Sequence, residues 1–272
     1  MSAPDPVRSP GSIRLYVLDG GTLEAMDPRR FGLVPDEVES TRMPSPCFLI
    51  THPAGNLVWE AGIVPDRGWI PTGGPVEVHV DLRDTSRRVT MVRSIGSQLA
   101  EIGLAADDVS HLAFSHYHYD HTANASLFAR ALWLVRPAER VAMFAASPPP
   151  LTQPEDYRDL GDRPILSIGS TDHDVFGDGS VVIKATGGHT PGHQVLSLRL
   201  GQTGNVVLSG DLYHYAEERA MDRLPDFEFD AVQSRASMVG LEAFLDATQA
   251  QLWIQHDAAQ HASRRTAPDF YD

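Results

Sequence analysis

The chain has 272 residues, 42% hydrophobic and 21% charged, with a formal net charge of −14 and a single cysteine. Such a length buries a large core, while an acidic surface without a basic cluster repels phosphate backbones, so nucleic acid is not an expected partner. No apolar run approaches the roughly 20 residues that span a bilayer, and one cysteine excludes an intrachain disulfide.

The first 12 residues are rich in Pro, Gly and Ser and have no apolar centre. They read as a flexible N-terminus without a secretory signal, so the expected location is the cytoplasm. A single hydrolase domain is expected over residues 13–272. Ile13–Asp19 alternates as a strand and Gly20-Gly21 turns it. Residues 22–45 carry three prolines and read as an irregular excursion. Pro46–Thr51 and Leu57–Glu60 form a hairpin about a Pro-Ala-Gly-Asn turn. Cys47, in an apolar run, reads as a buried structural thiol. Residues 61–82, with Trp69 and Ile70 at their centre, suit a lid or substrate loop as well as an ordinary surface loop. Asp84-Thr85-Ser86 offers helix caps for the repeat Val92, Ile95, Leu99, Ile102, which Gly103 closes.

Residues 109–114 read as a buried strand. His116-Tyr117-His118-Tyr119-Asp120-His121 follows it, then Thr122–Ala129 as the start of a helix. Neutral imidazoles and an ionised carboxylate are ligands that a divalent ion such as zinc prefers. Alternate side chains of an extended segment share a face, so His116 and His118 can reach one ion. Asp120 and His121, past the turn, can reach another.

Leu132–Val135 is a strand, Pro137 starts a helix to Ala145, and residues 147–164 form a Pro- and Asp-rich connection. Val181–Ala185 runs into Gly187-Gly188-His189-Thr190-Pro191-Gly192-His193. Val195–Leu200 turns at 201–204 into Val206–Leu208, which ends in Ser209-Gly210-Asp211. A helical pattern covers 229–248, and Leu252–Ile254 leads to Gln255-His256-Asp257. The element order loosely recurs, which suggests two similar halves facing each other.

Candidate ligands thus follow four apolar runs, where open α/β sheets place their chemistry. His116, His118 and His189 form one expected metal site. Asp120, His121 and His256 form the other, with Asp211 bridging the two. His193 reads as a supporting residue. His52, His79, His111, His173 and His261 read as surface or core. Two ions 3.5–4 Å apart would activate a shared water, a design for hydrolysis. No G-x-S-x-G elbow argues for a serine nucleophile.

These motifs, H-Y-H-Y-D-H at 116–121, G-G-H-T-P-G-H at 187–193, S-G-D at 209–211 and His256, resemble the metallo-β-lactamase superfamily. The resemblance implies an αββα sandwich of two mixed β-sheets flanked by helices, with a dinuclear site at one edge. L-Y-V-L-D-G-G-T-L at 15–23, P-C-F-L-I at 46–50 and L-V-W-E-A-G at 57–62 look most like the N-acyl homoserine lactonases, the quorum-quenching branch. It implies two divalent metal ions, zinc foremost, and opening of the lactone ring by a hydroxide held between them. The alternative is a hydrolase of the same fold acting on another ester, a thioester or a β-lactam. Two positions depart from the pattern. Glu60 stands where the superfamily usually has an aspartate. His214, flanked by Tyr213 and Tyr215, stands where that branch often has a tyrosine that contacts the substrate carbonyl. The expected catalytic side chains are Asp120, as a proton donor to the leaving alkoxide, and His214, Tyr213 or Tyr215 at the carbonyl. Trp69, Ile70 and the 147–157 loop are the expected walls of an acyl groove. The lid and the excursion weakly favour a homodimer.

Overall fold

A computed structural model describes residues 12–70, 72–81 and 86–272. The N-terminal stretch expected to be flexible lies, up to residue 11, outside the described residues, as do the expected caps Asp84 and Thr85.

The strands of the first half are β1 (Arg14–Leu18), β2 (Thr22–Leu23), β3 (Met43–Pro44), β4 (Cys47–His52), β5 (Gly55–Trp59), β6 (Val76–Asp81) and β7 (Ser86–Met91). Helix α1 (Ile95–Ile102) leads to β8 (His111–Ala113), α2 (Tyr119–Thr122), β9 (Leu132–Val135), α3 (Pro137–Met143), α4 (Pro154–Tyr157) and β10 (Ile165–Ser167). The second half holds β11 (His173–Asp174), β12 (Val181–Ala185), β13 (Gln194–Leu200), β14 (Gly204–Leu208), α5 (Ala216–Met221), α6 (Ala231–Thr248), β15 (Gln251–Trp253) and α7 (Ala258–Ser263).

The order β1-β4-β5-β8-β9-β10 makes one mixed sheet, and β11-β12-β13-β14-β15 makes a second. Their alternation sorts side chains to two faces. Leu15, Val17, Phe48, Ile50, Leu57 and Trp59 meet Val181, Ile183, Leu196, Leu198, Val206 and Leu208 between the sheets. Tyr16, Leu18, Leu49, Val58 and Leu112 face outward onto Ile95 and Leu99 of α1. Val195 and Val207 face Met238, Leu241 and Leu245 of α6. Helix, sheet, sheet and helix are therefore stacked in four layers, the expected αββα sandwich. Burying these rows supplies most of the driving force for the stack, at about 25 cal/mol per Å² of apolar surface.

Local readings are corrected at several places. The expected excursion at 22–45 and the expected loop at 61–82 contain strands, because β3-β2-β7-β6 form a third, four-stranded sheet. Ser86 belongs to a strand, and helix α1 starts later, where the Ser94 hydroxyl accepts the Ser97 N–H at 3.2 Å. The helix expected from Thr122 instead starts at Tyr119 and stops at Thr122, and a separate 3₁₀ turn spans Ala125–Phe128. Asp120 and His121 thus sit on a helical turn, whereas His118 is still extended, and the His121 ring nevertheless stays 4.2 Å from that of His116. The 147–164 connection contains α4, and β10 follows it. Cys47 is fully buried, and burial pushes its thiol well up, as fits a structural role.

Candidate metal centre

Every candidate ligand follows a strand on the same edge of the sandwich. His116, His118, His189 and Asp211 bring four ligand atoms within 4.8 Å of one another, and Asp120, His121 and His256 bring three. All seven residues are buried. Asp211 serves both groups. Its Oδ2 lies 3.6 Å from Nε2 of His116 and 3.6 Å from Nε2 of His189. Its Oδ1 lies 3.1 Å from Nε2 of His121 and 3.0 Å from Nε2 of His256.

The outward ring nitrogens are fixed by acceptors. His189 Nδ1 lies 2.7 Å from Glu228 Oε1, and His256 Nδ1 lies 2.7 Å from the Pro44 carbonyl. His121 Nδ1 lies 3.2 Å from Glu60 Oε2, and His116 Nδ1 lies 2.9 Å from Ser115 Oγ. A carboxylate or carbonyl can only accept, so Nδ1 of His189, His256 and His121 donates and Nε2 is the nitrogen left free to take a cation in place of a proton. Three of the inward atoms have no partner. His116 Nε2, His121 Nε2 and Asp211 Oδ1 are buried without a hydrogen-bond partner. His189 Nε2 also faces His118 Nδ1 at 3.2 Å. Buried orphans are costly, and lone pairs converging on one point suit a cation. The donor set therefore fits two divalent ions.

Charge is distributed accordingly. Burial holds His116 and His118 well below the usual imidazole range, reinforced by the neighbouring histidines. At His121 burial opposes the cation, but Asp211, Glu60 and Asp120 outweigh it and hold the ring well above that range. Burial likewise opposes the Asp211 carboxylate, and His121, His256, His214 and His116 overcome it, so it stays ionised well below the usual range.

Backbone geometry lets the loops close on this point. Gly188 has φ +135°, and a Cβ there would meet the Ser234 backbone nitrogen at 2.3 Å. Glu60 takes φ +67° without being glycine, and its carboxylate accepts the Ser115 N–H at 3.1 Å as well as facing His121. Its extra methylene relative to aspartate spans from the end of β5 to both partners. His193 holds Asp211 in place: its Nε2 accepts the Asp211 N–H at 3.0 Å and its Nδ1 lies 2.9 Å from Thr186 Oγ1.

Glu139, at the start of α3, ties the two ligand loops together. Oε1 accepts the Tyr117 N–H at 2.8 Å, Oε2 accepts the Gly192 N–H at 2.8 Å, and the Thr190 hydroxyl donates to both oxygens. Burial nevertheless lifts its carboxyl from 4.5 to about 7, against the hydrogen bonds from Thr190, Gly192 and Tyr117. The folded state thus keeps this proton to higher pH than the unfolded chain does. The resulting stabilisation is complete below pH 4.5 and is lost as pH rises through about 7. It amounts to roughly 3 kcal/mol. The stability of metal-free wild type relative to Glu139→Gln should fall by about that much over this window in urea unfolding. A difference independent of pH would refute it.

No sequence motif pointed to Glu139 or Glu228, because each lies far along the chain from at least one group it supports. Glu228 is 39 residues from His189. Glu228→Gln should weaken metal binding by 10- to 100-fold in chelator competition, since the amide is a poorer anchor for the His189 N–H. Unchanged affinity would show that the backing carboxylate is dispensable.

A pocket with about 430 Å³ of empty space opens onto the centre. Leu23, Met26, Phe31, Met43, Leu151 and Phe227 supply apolar walls, and His118, Asp120, Asp211, His214 and His256 lie at its polar end. Arg30 and Arg87 flank it, Arg30 with its guanidinium 4.8 Å from the Phe227 ring centre. Three expectations change here. Trp69 packs with the cluster of Leu23, Phe31 and Met43 but is not among the pocket residues, and Ile70 is 75% exposed. From the 147–157 loop, Leu151 lines the pocket. Of the three aromatic candidates after Asp211, only His214 reaches it. The Tyr213 hydroxyl instead donates to Glu242 at 3.0 Å, on the α6 side. Tyr215 packs its ring against Phe31 at 5.3 Å and is not among the pocket residues. Neighbours alternate in direction, so one residue of three can face the centre.

A family model described as the metallo-beta-lactamase superfamily matches residues 40–249. N-acyl homoserine lactonase AttM of Azorhizobium caulinodans is 28% identical over 270 residues, 96% of this chain and 99% of its own. AttM of Agrobacterium fabrum is 29% identical over 268 residues, 95% and 98% of the two chains. Among solved structures, B. thuringiensis AiiA with N-decanoyl-L-homoserine bound at the active site superposes with a TM-score of 0.77 at 22% identity, covering 96% of this chain and 99% of that one. A dizinc quorum-quenching lactonase, AidC, with a product bound, gives 0.66 at 16% identity, covering 96% and 94%.

Proposed function

The chain belongs to the metallo-beta-lactamase superfamily, and on that premise we propose that it is a dinuclear metal hydrolase opening the lactone ring of N-acyl homoserine lactones. The observation that carries the proposal is the position of Asp211, one oxygen toward each ligand group, beneath a pocket with apolar walls. Full-length similarity to curated lactonases supports the choice of substrate.

His116, His118 and His189 would hold one ion and Asp120, His121 and His256 the other, with Asp211 shared; zinc suits these imidazole and carboxylate donors. Two such ions supply an activated water near neutral pH and polarise a carbonyl. The protein's own groups do the remaining work. Glu228, Glu60 and the Pro44 carbonyl hold the imidazoles in one orientation. Leu23, Phe31, Met43 and Phe227 exclude bulk water and receive the acyl chain. His214 lies at the reacting end. Asp120 has its Oδ2 3.6 Å from His256 Nε2 and also lines the pocket. From there it can pass a proton to the alkoxide released when the ring C–O bond breaks. Water adds across the ester, giving the N-acyl homoserine carboxylate and one proton.

That proton makes the test direct. A pH-stat assay of metal-loaded protein with short, medium and long acyl homoserine lactones should show base uptake, above that with a β-lactam or a thioester. No lactone turnover together with turnover of either control would transfer the assignment to that substrate class.

A further inference from the structure

A second hollow, of about 800 Å³, shares no lining residue with the substrate pocket. Gly187, Pro191 and Gly192 of the loop that carries His189 form one part of its wall, and Pro137 and Ala138 at the start of α3 form another. Gln233 and Ser237 of α6 add polar groups, and the Ser237 hydroxyl donates to the Gly187 carbonyl at 2.7 Å. Arg136, which joins β9 to α3, also lines it.

Arg136 is only 5% exposed. Its Nη1 donates to the carbonyls of Gly169 and Thr171, which fixes the guanidinium. The opposite edge is bare: Nε and Nη2 are both buried without a hydrogen-bond partner. Among the described residues, no other arginine has two buried nitrogens in that state. Asp172, whose charge acts on Arg136, is itself paired with Lys184. Burial lowers the guanidinium's hold on its proton, but the group stays charged near neutral pH. Bare donors on a buried cation are costly until an anion meets them.

We propose that this hollow binds a small organic carboxylate, its two oxygens on Nε and Nη2 of Arg136. The two N–H groups of that edge run parallel and match the spacing of carboxylate oxygens. Arg136 is the one cation among the described residues that line the hollow, because His193 accepts the Asp211 N–H at Nε2 and is neutral. One positive charge balances a carboxylate, whereas a phosphate brings close to two negative charges. Pro137, Ala138 and Pro191 give an attached carbon chain apolar contacts. Bound there, the carboxylate rests against the loop that carries His189 and braces it without entering the metal centre. The site is independent of the substrate proposed above.

Hexanoate is a suitable probe, with hexanamide as its neutral match and inorganic phosphate as the rival oxyanion. Titrated into metal-loaded wild type, hexanoate should shift the NMR resonance of the Arg136 Nε–H, recognised as the one missing from Arg136→Lys. Hexanamide and phosphate should leave it in place. In calorimetric titration, Arg136→Met, which keeps the length without the charge, should bind hexanoate at this site at least about tenfold more weakly. Arg136→Lys, which keeps the charge without the fork, should fall between. Binding at the metal ions survives both substitutions and is thereby set apart. At about ten times its Kd, hexanoate should raise the Tm of wild type by about 3–5 °C more than that of Arg136→Met. The resonance decides the matter where Arg136→Met fails to fold. A resonance that hexanoate leaves unmoved, or that hexanamide moves equally, overturns the proposal. So does an Arg136→Met affinity within about twofold of wild type. A shift with phosphate and none with hexanoate overturns the choice of a carboxylate.

Discussion

Asp211→Asn is expected to lower kcat/KM by roughly 10³-fold or more and to leave the protein unable to retain two ions. The substitution is nearly isosteric, so the effect is chemical. Asp211 faces His116 and His189 through Oδ2 and His121 and His256 through Oδ1. Asparagine keeps one weak oxygen ligand and places an amide NH₂, a donor without a lone pair, against the other group. It also removes the negative charge that compensates the cations at both positions. Metal content by elemental analysis and lactone turnover should fall together, while far-UV circular dichroism should stay that of wild type. Two retained ions with a rate within tenfold of wild type would refute the bridging role.

Stripping the metals is expected to have the second large effect. Seven donors converge in a buried volume, where His116 Nε2, His121 Nε2 and Asp211 Oδ1 have no hydrogen-bond partner. Each ion bound at about 1,000 times its Kd stabilises the fold by about 4 kcal/mol. For a chain of this length two ions should raise Tm by on the order of 20 °C. Dialysis against a chelator should therefore abolish turnover and lower Tm by that order. Added zinc, cobalt or manganese should restore both. Turnover at full rate in a preparation holding less than a tenth of an equivalent of metal would exclude metal-assisted hydrolysis.

The ligand positions were legible in the sequence because each is local. An apolar run predicts a strand, and a histidine or aspartate just after it must lie at that strand's end. Four such runs, at 109–114, 181–185, 206–208 and 252–254, placed the candidates on one edge. The division into two groups was also legible, since residues 116 and 118 share a face while 120 and 121 come after the turn. The third sheet was not legible. Its strands β2 and β3 are only two residues long, and the pairing of β2 with β7 joins segments more than 60 residues apart. The early start of α2 is not legible either, because the polar ligand run Tyr119–Thr122 carries no apolar helical repeat.

By itself, then, the sequence offered the strands, two facing halves and the candidate ligands, because alternation of apolar residues and the type of donor are properties of short segments, while the αββα layering came from the family resemblance of its motifs. The tertiary structure alone decided what stands behind those ligands and what faces the substrate. Glu228 and Glu139 act across long stretches of chain, and no local pattern marks which buried carboxylate will meet which ligand loop. It also decided that His214 turns inward while Tyr213 turns to Glu242. That choice depends on how residues 213–215 leave the 3₁₀ turn Gly210–Leu212 and enter α5, a matter of backbone direction that residue type does not encode.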